Sequence, residues 1–260
     1  MKTTAIMNLK GGVAKTITAV NMAMILAEKH GKRVLLIDAD HQGNSSSFFS
    51  LDSDCATLRD VLAGECEICW SDNVQGSGRE GLDVLPSAMS LAELELTKGI
   101  SEEEIDKRHV RLRDFLDCAA EDDAYDHVII DMPPSFSTAA KAALIAADEV
   151  IVPMKLDAFS LKGMTEMVRQ IDSIRQLNPS LKLRGVLVTM RRGKRNAEVG
   201  IAALRSMRIP VFRQSIRWTD ELVDESTYRH EPLYEYSPRC GASKDYVSFV
   251  EEYLGGKQNG

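Results

Sequence analysis

Short runs of aliphatic and β-branched residues alternate along this chain with longer stretches whose apolar positions recur every three to four residues. Residues 3–7, 33–38, 82–86, 127–131, 149–153 and 183–189 are apolar on both faces, the pattern of parallel strands covered by helices on each side. Between them, residues 15–30 carry Ala19, Met22, Ala23, Leu26 and Ala27 on one stripe, which predicts a helix closed by Gly31. Residues 160–177 repeat Leu161, Met164, Met167, Val168, Ile171 and Ile174 at helical spacing until Asn178-Pro179 stops them. Strand–helix alternation of this kind predicts the α/β class: a doubly wound, mostly parallel twisted sheet with helices on both faces. One domain is expected over 1–254, with 255–260 a frayed tail. The stretch 65–81, with Gly76, Gly78 and Gly81, reads as an irregular surface excursion.

Composition changes little in this picture. With 44% hydrophobic and 27% charged residues the chain has an ordinary globular balance. No uncharged apolar stretch is long enough to span a bilayer. The opening Met1-Lys2-Thr3-Thr4-Ala5-Ile6-Met7-Asn8 runs into a polar glycine loop, as a buried first strand does and a signal peptide does not. A cytoplasmic location is therefore expected. Five cysteines include a single close pair, Cys66 and Cys69. A closed zinc site needs four ligands, and no second pair follows at finger spacing, so reduced thiols are the expected state.

Charge adds one feature. Residues 182–217 hold ten basic residues and one acidic residue, Glu198, in a chain of net charge −7. An acidic protein with so concentrated a basic stretch can hold a polyanion through a local patch. The candidate contacts are Arg191, Arg192, Lys194, Arg195 and Arg217.

The chemistry gathers near the N-terminus. A strand, a glycine loop, Lys15-Thr16 and then a helix form the architecture of a phosphate-binding loop. Glycines let successive N–H groups approach phosphate oxygens, and the helix start adds its positive end. Lys10, Gly11, Gly12, Val13, Ala14, Lys15, Thr16 and Ile17 are the candidate nucleotide-binding residues. Lys15 would contact the β- and γ-phosphates, and the Thr16 hydroxyl would bind Mg²⁺. The strict loop pattern is not met, because Leu9 and Ala14 stand at its two glycine positions. If residue 14 needs positive φ, its Cβ costs about 1 kcal/mol. Asp38 and Asp40 close one apolar strand and Asp131 closes another, where α/β sheets place ligands. Pro133-Pro134 forces an extended turn after Asp131.

Lys10 directly before the two glycines resembles the deviant Walker A motif K-G-G-x-x-K-[ST]. Asp38-Ala39-Asp40-His41-Gln42-Gly43-Asn44 resembles the D-x-D-P-Q-G-N switch of the same proteins, with His41 in place of proline. Val128-Ile129-Ile130-Asp131-Met132-Pro133-Pro134 resembles their Walker B strand and D-x-P-P turn. Leu82-Asp83-Val84-Leu85-Pro86-Ser87 and the region from Pro232-Leu233 to Asp245-Tyr246 are also similar. These segments follow in order along almost the whole chain, which resembles the ParA/MinD ATPases, and most of all the small Soj-type ParA partition proteins.

The resemblance implies a P-loop NTPase of the deviant Walker A type that uses ATP and Mg²⁺. Lys10, Lys15 and Asp40 become the catalytic residues, with Asp40 orienting the attacking water. Thr16, Asp38 and Asp131 become the Mg²⁺ residues, the two aspartates acting through water. Lys10 reaches across a two-fold axis to the partner's nucleotide, in the manner of an arginine finger. An ATP-bridged homodimer, non-specific DNA binding that falls with salt, nucleoid association and a ParB-like activating partner follow from the same resemblance.

Three other readings are weighed against this one, and the residues count against the first two. Membrane recruitment of the MinD kind wants a basic terminal helix, whereas 245–254 holds Asp245, Glu251 and Glu252. An iron–sulfur protein would need cysteines elsewhere than Cys66 and Cys69. A non-hydrolysing or very slow regulatory DNA-binding protein is the third, because Ala14 crowds the loop and Ile17 replaces a common threonine. Basic residues stand where T-M-[FY]-D is common, so no adenine contacts are assigned.

Overall fold

The computed structural model describes residues 1–52, 55–66, 69–157, 160–219 and 221–255, with the backbone alone at 194–196. The tail from 256 onward lies outside the described residues, as do the side chains of Lys194 and Arg195. Seven strands form one sheet: β1 (Lys2–Ile6), β2 (Val34–Asp38), β3 (Gln75–Arg79), β4 (Leu82–Leu85), β5 (His127–Asp131), β6 (Glu149–Lys155) and β7 (Lys182–Thr189). Their order is β3-β4-β2-β5-β1-β6-β7, and every neighbouring pair is parallel except β3 with β4. The helices are α1 (Lys15–Met24), α2 (Leu58–Ala63), α3 (Glu102–Glu121), α4 (Thr138–Ala146), α5 (Ser160–Ile174), α6 (Lys194–Ser206), α7 (Glu221–Tyr228), α8 (Leu233–Tyr236) and α9 (Gly241–Gly255).

Strand alternation sorts the core into two layers. Leu35, Ile37, Val128, Ile130, Val150 and Val152 point to one face and are buried under α3, α4 and α5. Val34, Leu36, Ile129 and Ile151 point to the other and are buried under α1 and α9. This is the doubly wound α/β sheet the periodicity predicts. β1 sits centrally between β5 and β6, so the chain turns in opposite directions around it, and the crevice at its C-terminal end is where such sheets receive ligands.

Two expectations change. The excursion at 65–81 contains β3, which pairs antiparallel to β4 at the sheet edge. The helix expected over 15–30 is α-helical to Met24 and continues as a π-helical stretch, Ile25–Lys29, before Gly31 at φ 61° leaves it. Asn21 ties this helix to the C-terminal region, accepting from the Leu233 N–H at 3.0 Å.

Candidate active site

The glycine loop leaves β1 at Met7 and is braced from outside. The Met7 N–H donates to the Ile151 carbonyl at 3.0 Å, and the Asn8 amide donates to the Pro153 carbonyl at 2.7 Å. The Thr189 hydroxyl donates to the Val13 carbonyl at 3.0 Å. The middle of β6 and the end of β7 thus fix the loop's two limbs. Gly12 lies at φ 66°, and Ala14 lies at φ 66°, ψ 36°, so both take the left-handed conformation. Ala14 is therefore a strained N-cap, with no side-chain hydrogen bond to offset the strain. Lys15 opens α1, nearly buried, and its Nζ donates to the Lys10 carbonyl at 3.3 Å. Burial lowers its pKa, while Asp131 and then Asp40 oppose that shift.

Asp38 and Asp131 are register partners on β2 and β5. Asp38 accepts from the Ser46 N–H at 2.8 Å, the Ser46 hydroxyl at 2.7 Å and the Asp40 N–H at 3.1 Å. Burial nevertheless pushes its pKa up. Asp131 is fully enclosed, and neither carboxylate oxygen has a hydrogen-bond partner at normal geometry. Burial, and then the Asp38 charge, push Asp131 up to about 8, opposed by the Thr16 hydroxyl and by Lys15. A buried acid with both oxygens open, beside a threonine hydroxyl, is an oxygen donor set that fits a hard divalent cation. Among the described residues no three His, Cys, Asp or Glu side chains form a metal cage by themselves. A cation at Asp131 would take its other ligands from Thr16, water and phosphate.

Asp40 shapes its own turn, its Oδ1 accepting from the Gln42 N–H at 3.1 Å and lying 3.5 Å from His41 Nδ1. Ser46 also accepts from the Ser87 N–H at 2.9 Å, which links this loop to the end of β4. Lys10 points away from Lys15, nearly half-exposed, and pairs with Asp157 just past β6. Its backbone N–H donates to Asn8 Oδ1 at 2.9 Å.

The basic stretch is partly committed. Arg217 makes a bidentate pair with buried Asp245 at 2.8 Å and donates to the Gly241 carbonyl at 3.0 Å. Arg191 donates to the Ser215 hydroxyl at 2.8 Å. Arg192 stacks on Trp218, 3.9 Å from its ring centroid. Arg217 thus holds α9 in place, and its guanidinium is not the unengaged cation that a phosphate contact calls for. Arg205 and Arg208, at the end of α6, are exposed.

Sequence reasoning missed Ser46, Ser87, Asp157, Thr189 and Trp218. Each acts through the fold rather than through a motif, and only the proximity of Ser46 to Asp38 left a signal. Next to the loop, Ala14, Ile17, Thr189, Met190, Trp218 and Asp224 line a cavity of about 220 Å³. The five cysteines are thiols, and burial raises the pKa of Cys66. Among the described residues no helix is long and apolar enough to cross a membrane.

A family model described as an AAA domain matches residues 1–183. A chromosome partitioning protein ParA of Caulobacter vibrioides is 35% identical over 259 residues, covering 98% of this chain and 94% of that protein. The sporulation initiation inhibitor protein Soj of Bacillus subtilis is 32% identical over 262 residues, covering 96% and 97% respectively. Among solved structures, a cobyrinic acid a,c-diamide synthase of Mycobacterium smegmatis with bound ADP and magnesium superposes with a TM-score of 0.79 at 29% identity. It covers 98% of this chain and 94% of its own. With its glycine loop, strand-end aspartates and parallel sheet in the arrangement described, the chain belongs to the ParA family of P-loop ATPases.

Proposed function

We propose that this chain is a slow Mg²⁺-dependent ATPase that dimerises on ATP, binds DNA without sequence preference, and is released when a ParB-like partner stimulates hydrolysis. The observation that carries the reading is Asp131, a buried carboxylate with both oxygens unpartnered beside Lys15 and Thr16. Such a group is costly unless a cation completes it.

In this reading the loop N–H groups at 11–15 and the start of α1 cradle the phosphates. Lys15 neutralises the β- and γ-phosphates. Thr16 and Asp131 hold Mg²⁺, which when bound screens charge on the transferring phosphoryl group. Asp38 acts at one remove, because its oxygens are spent on shaping the Asp40–Ser46 loop. Asp40 orients the attacking water. Lys10 leaves Asp157 and reaches the partner's nucleotide, so that one chain alone turns over slowly. The cavity beside Ala14 and Ile17 receives the base. DNA affinity comes from phosphate neutralisation by the segment around α6.

Partitioning of DNA is the proposed biological role, supported by the name of the Caulobacter relative, a chromosome partitioning protein. DNA binding measured against salt with ADP, ATP and a slowly hydrolysed analogue tests the switch, using wild type and Asp40→Ala. ATP and the analogue should support binding, ADP should not, and Asp40→Ala should prolong the ATP-bound state. Binding indifferent to nucleotide, or absent with all three, would overturn the reading. Charge reversal at Arg191 and Arg192 then asks whether these two contribute to DNA affinity.

A further inference from the structure

Trp218 joins two parts of the molecule that the sequence keeps apart. It lines the cavity beside Ala14 and Ile17, and it carries the side chain of Arg192 on its ring. The Arg192 guanidinium carbon lies 3.9 Å from the indole centroid, and Lys155 Nζ lies 5.5 Å from it. The backbone holds the two segments in register. The Trp218 N–H donates to the Arg191 carbonyl at 3.1 Å, and the Arg191 N–H donates to the Ile216 carbonyl at 2.9 Å. Arg191 adds its side-chain bond to Ser215. Met190, in the left-handed region at φ 52°, turns the chain out of β7 and lines the same cavity. Two of the three residues Met190-Arg191-Arg192 therefore build or brace the segment that walls the cavity, and the third stacks on its aromatic ring.

A planar guanidinium stacked on an indole does more than neutralise charge. It holds the ring's plane and excludes water from one face, and it does so better than an ammonium because both groups are flat. An aromatic wall held in this way offers a purine a fixed surface, with little rotational freedom left to lose on binding.

We propose that Arg192 is a positioning residue for nucleobase recognition: its guanidinium fixes the Trp218 indole as a wall of the 220 Å³ cavity, against which the purine of the bound nucleotide packs. This rests on the nucleotide reading of the phosphate loop given above. It moves Arg192 from the DNA surface to the nucleotide site.

The test compares binding of Mg²⁺-ATP and of Mg²⁺-tripolyphosphate, which lacks a base, to the full chain. Wild type is measured beside Arg192→Ala, Arg192→Lys, Trp218→Ala, Trp218→Phe and the double alanine variant. Arg192→Ala should weaken ATP by about threefold to tenfold and leave tripolyphosphate within about twofold. Trp218→Ala should give the same pattern, the double variant should be no worse than Trp218→Ala, and Arg192→Lys and Trp218→Phe should fall between. Equal losses for both ligands, additive losses in the double variant, or unchanged ATP affinity in Arg192→Ala would each overturn the assignment. So would a fall of about one in the salt slope of DNA binding with ATP affinity intact, which would make Arg192 a phosphate contact. A wild type that binds neither ligand would instead overturn the nucleotide reading itself.

Discussion

Asp38 and Asp131 face each other across adjacent parallel strands, and the well-formed hydrogen bonds fall to Asp38. Asp38 accepts three and so holds the loop that carries Asp40. Asp131 has the Thr16 and Ser45 hydroxyls nearby, neither at full hydrogen-bond geometry, and keeps its lone pairs for a ligand. Two carboxyls that look equivalent at strand ends thus differ in what surrounds them, one structural and one open.

That difference gives the Mg²⁺-free protein a characteristic pH response. Asp131 is held up to about 8 by burial and by Asp38, against an ordinary value of 3.8. Below about pH 4 the folded and unfolded chains both keep this proton. Between about 4 and 8 the unfolded chain releases it while the folded chain retains it, so stability falls as pH rises, and above about 8 the loss is complete. Denaturant unfolding in EDTA at several pH values should show this slope. Asp131→Asn should flatten it, leaving only the share from Asp38, and should abolish stabilisation by Mg²⁺ with nucleotide.

Lys10 is held by Asp157 within its own chain. Exposed pairs of this kind contribute up to about 1 kcal/mol. The two-fold dimer breaks one such pair in each chain, so Asp157→Asn should raise the ATP-dependent dimer constant by up to about thirtyfold, read by sedimentation or light scattering. Lys10→Ala should lose the ATP-dependent dimer while keeping ATP affinity. A normal ATP dimer in Lys10→Ala would return this lysine to the solvated surface.

Ala14 adopts a backbone conformation that glycine takes without penalty. Ala14→Gly should stabilise the protein by about 1 kcal/mol, raising Tm by roughly 2–4 °C. It should also raise turnover, because the loop N–H groups reach the phosphates without Cβ crowding. Thermal unfolding and a phosphate-release assay read the two effects separately.

Arg217→Ala leaves Asp245, which is 5% exposed, without its cation. The backbone N–H of residue 217 and the Gln214 amide still donate to that carboxylate, and Arg217 is itself half-exposed. The loss should be on the order of 1–2 kcal/mol, short of a fully buried pair. It should register in Tm before it registers in DNA affinity. Charge reversal at exposed Arg205 and Arg208 should do the opposite, reducing the salt slope with Tm unchanged.

Six of the seven strands were legible in the sequence because each is buried on both faces, which forces a continuous apolar run. β3 was not legible. Gln75-Gly76-Ser77-Gly78-Arg79 has no apolar run, being an edge strand paired on one side through the turn at Glu80-Gly81. α3 was missed for a related reason: its outer face is so charged that only Leu112, Phe115, Leu116 and Ala119 are buried. The glycine loop and the strand-end aspartates could be picked out in the sequence because each stands within a few adjacent residues. Asp157 and Thr189 were not, since each meets the loop across well over a hundred residues of chain. The basic stretch misled in part because charge counts do not reveal pairing: Arg217 looked available and is bound to Asp245.

The bond from Thr189 to the Val13 carbonyl bears on how much of the chain the glycine loop needs. A chain cut after residue 183, where the matching family model ends, would keep every residue of the glycine loop. It would lose the hydroxyl that fixes one limb of that loop. The glycine loop is therefore not a portable cassette that could be spliced onto another sheet with its sequence alone. The acceptor is a backbone carbonyl that any residue at position 13 presents, so the demand falls on the side chain at position 189, and the loop at the chain's beginning leans on a single hydroxyl in its last third.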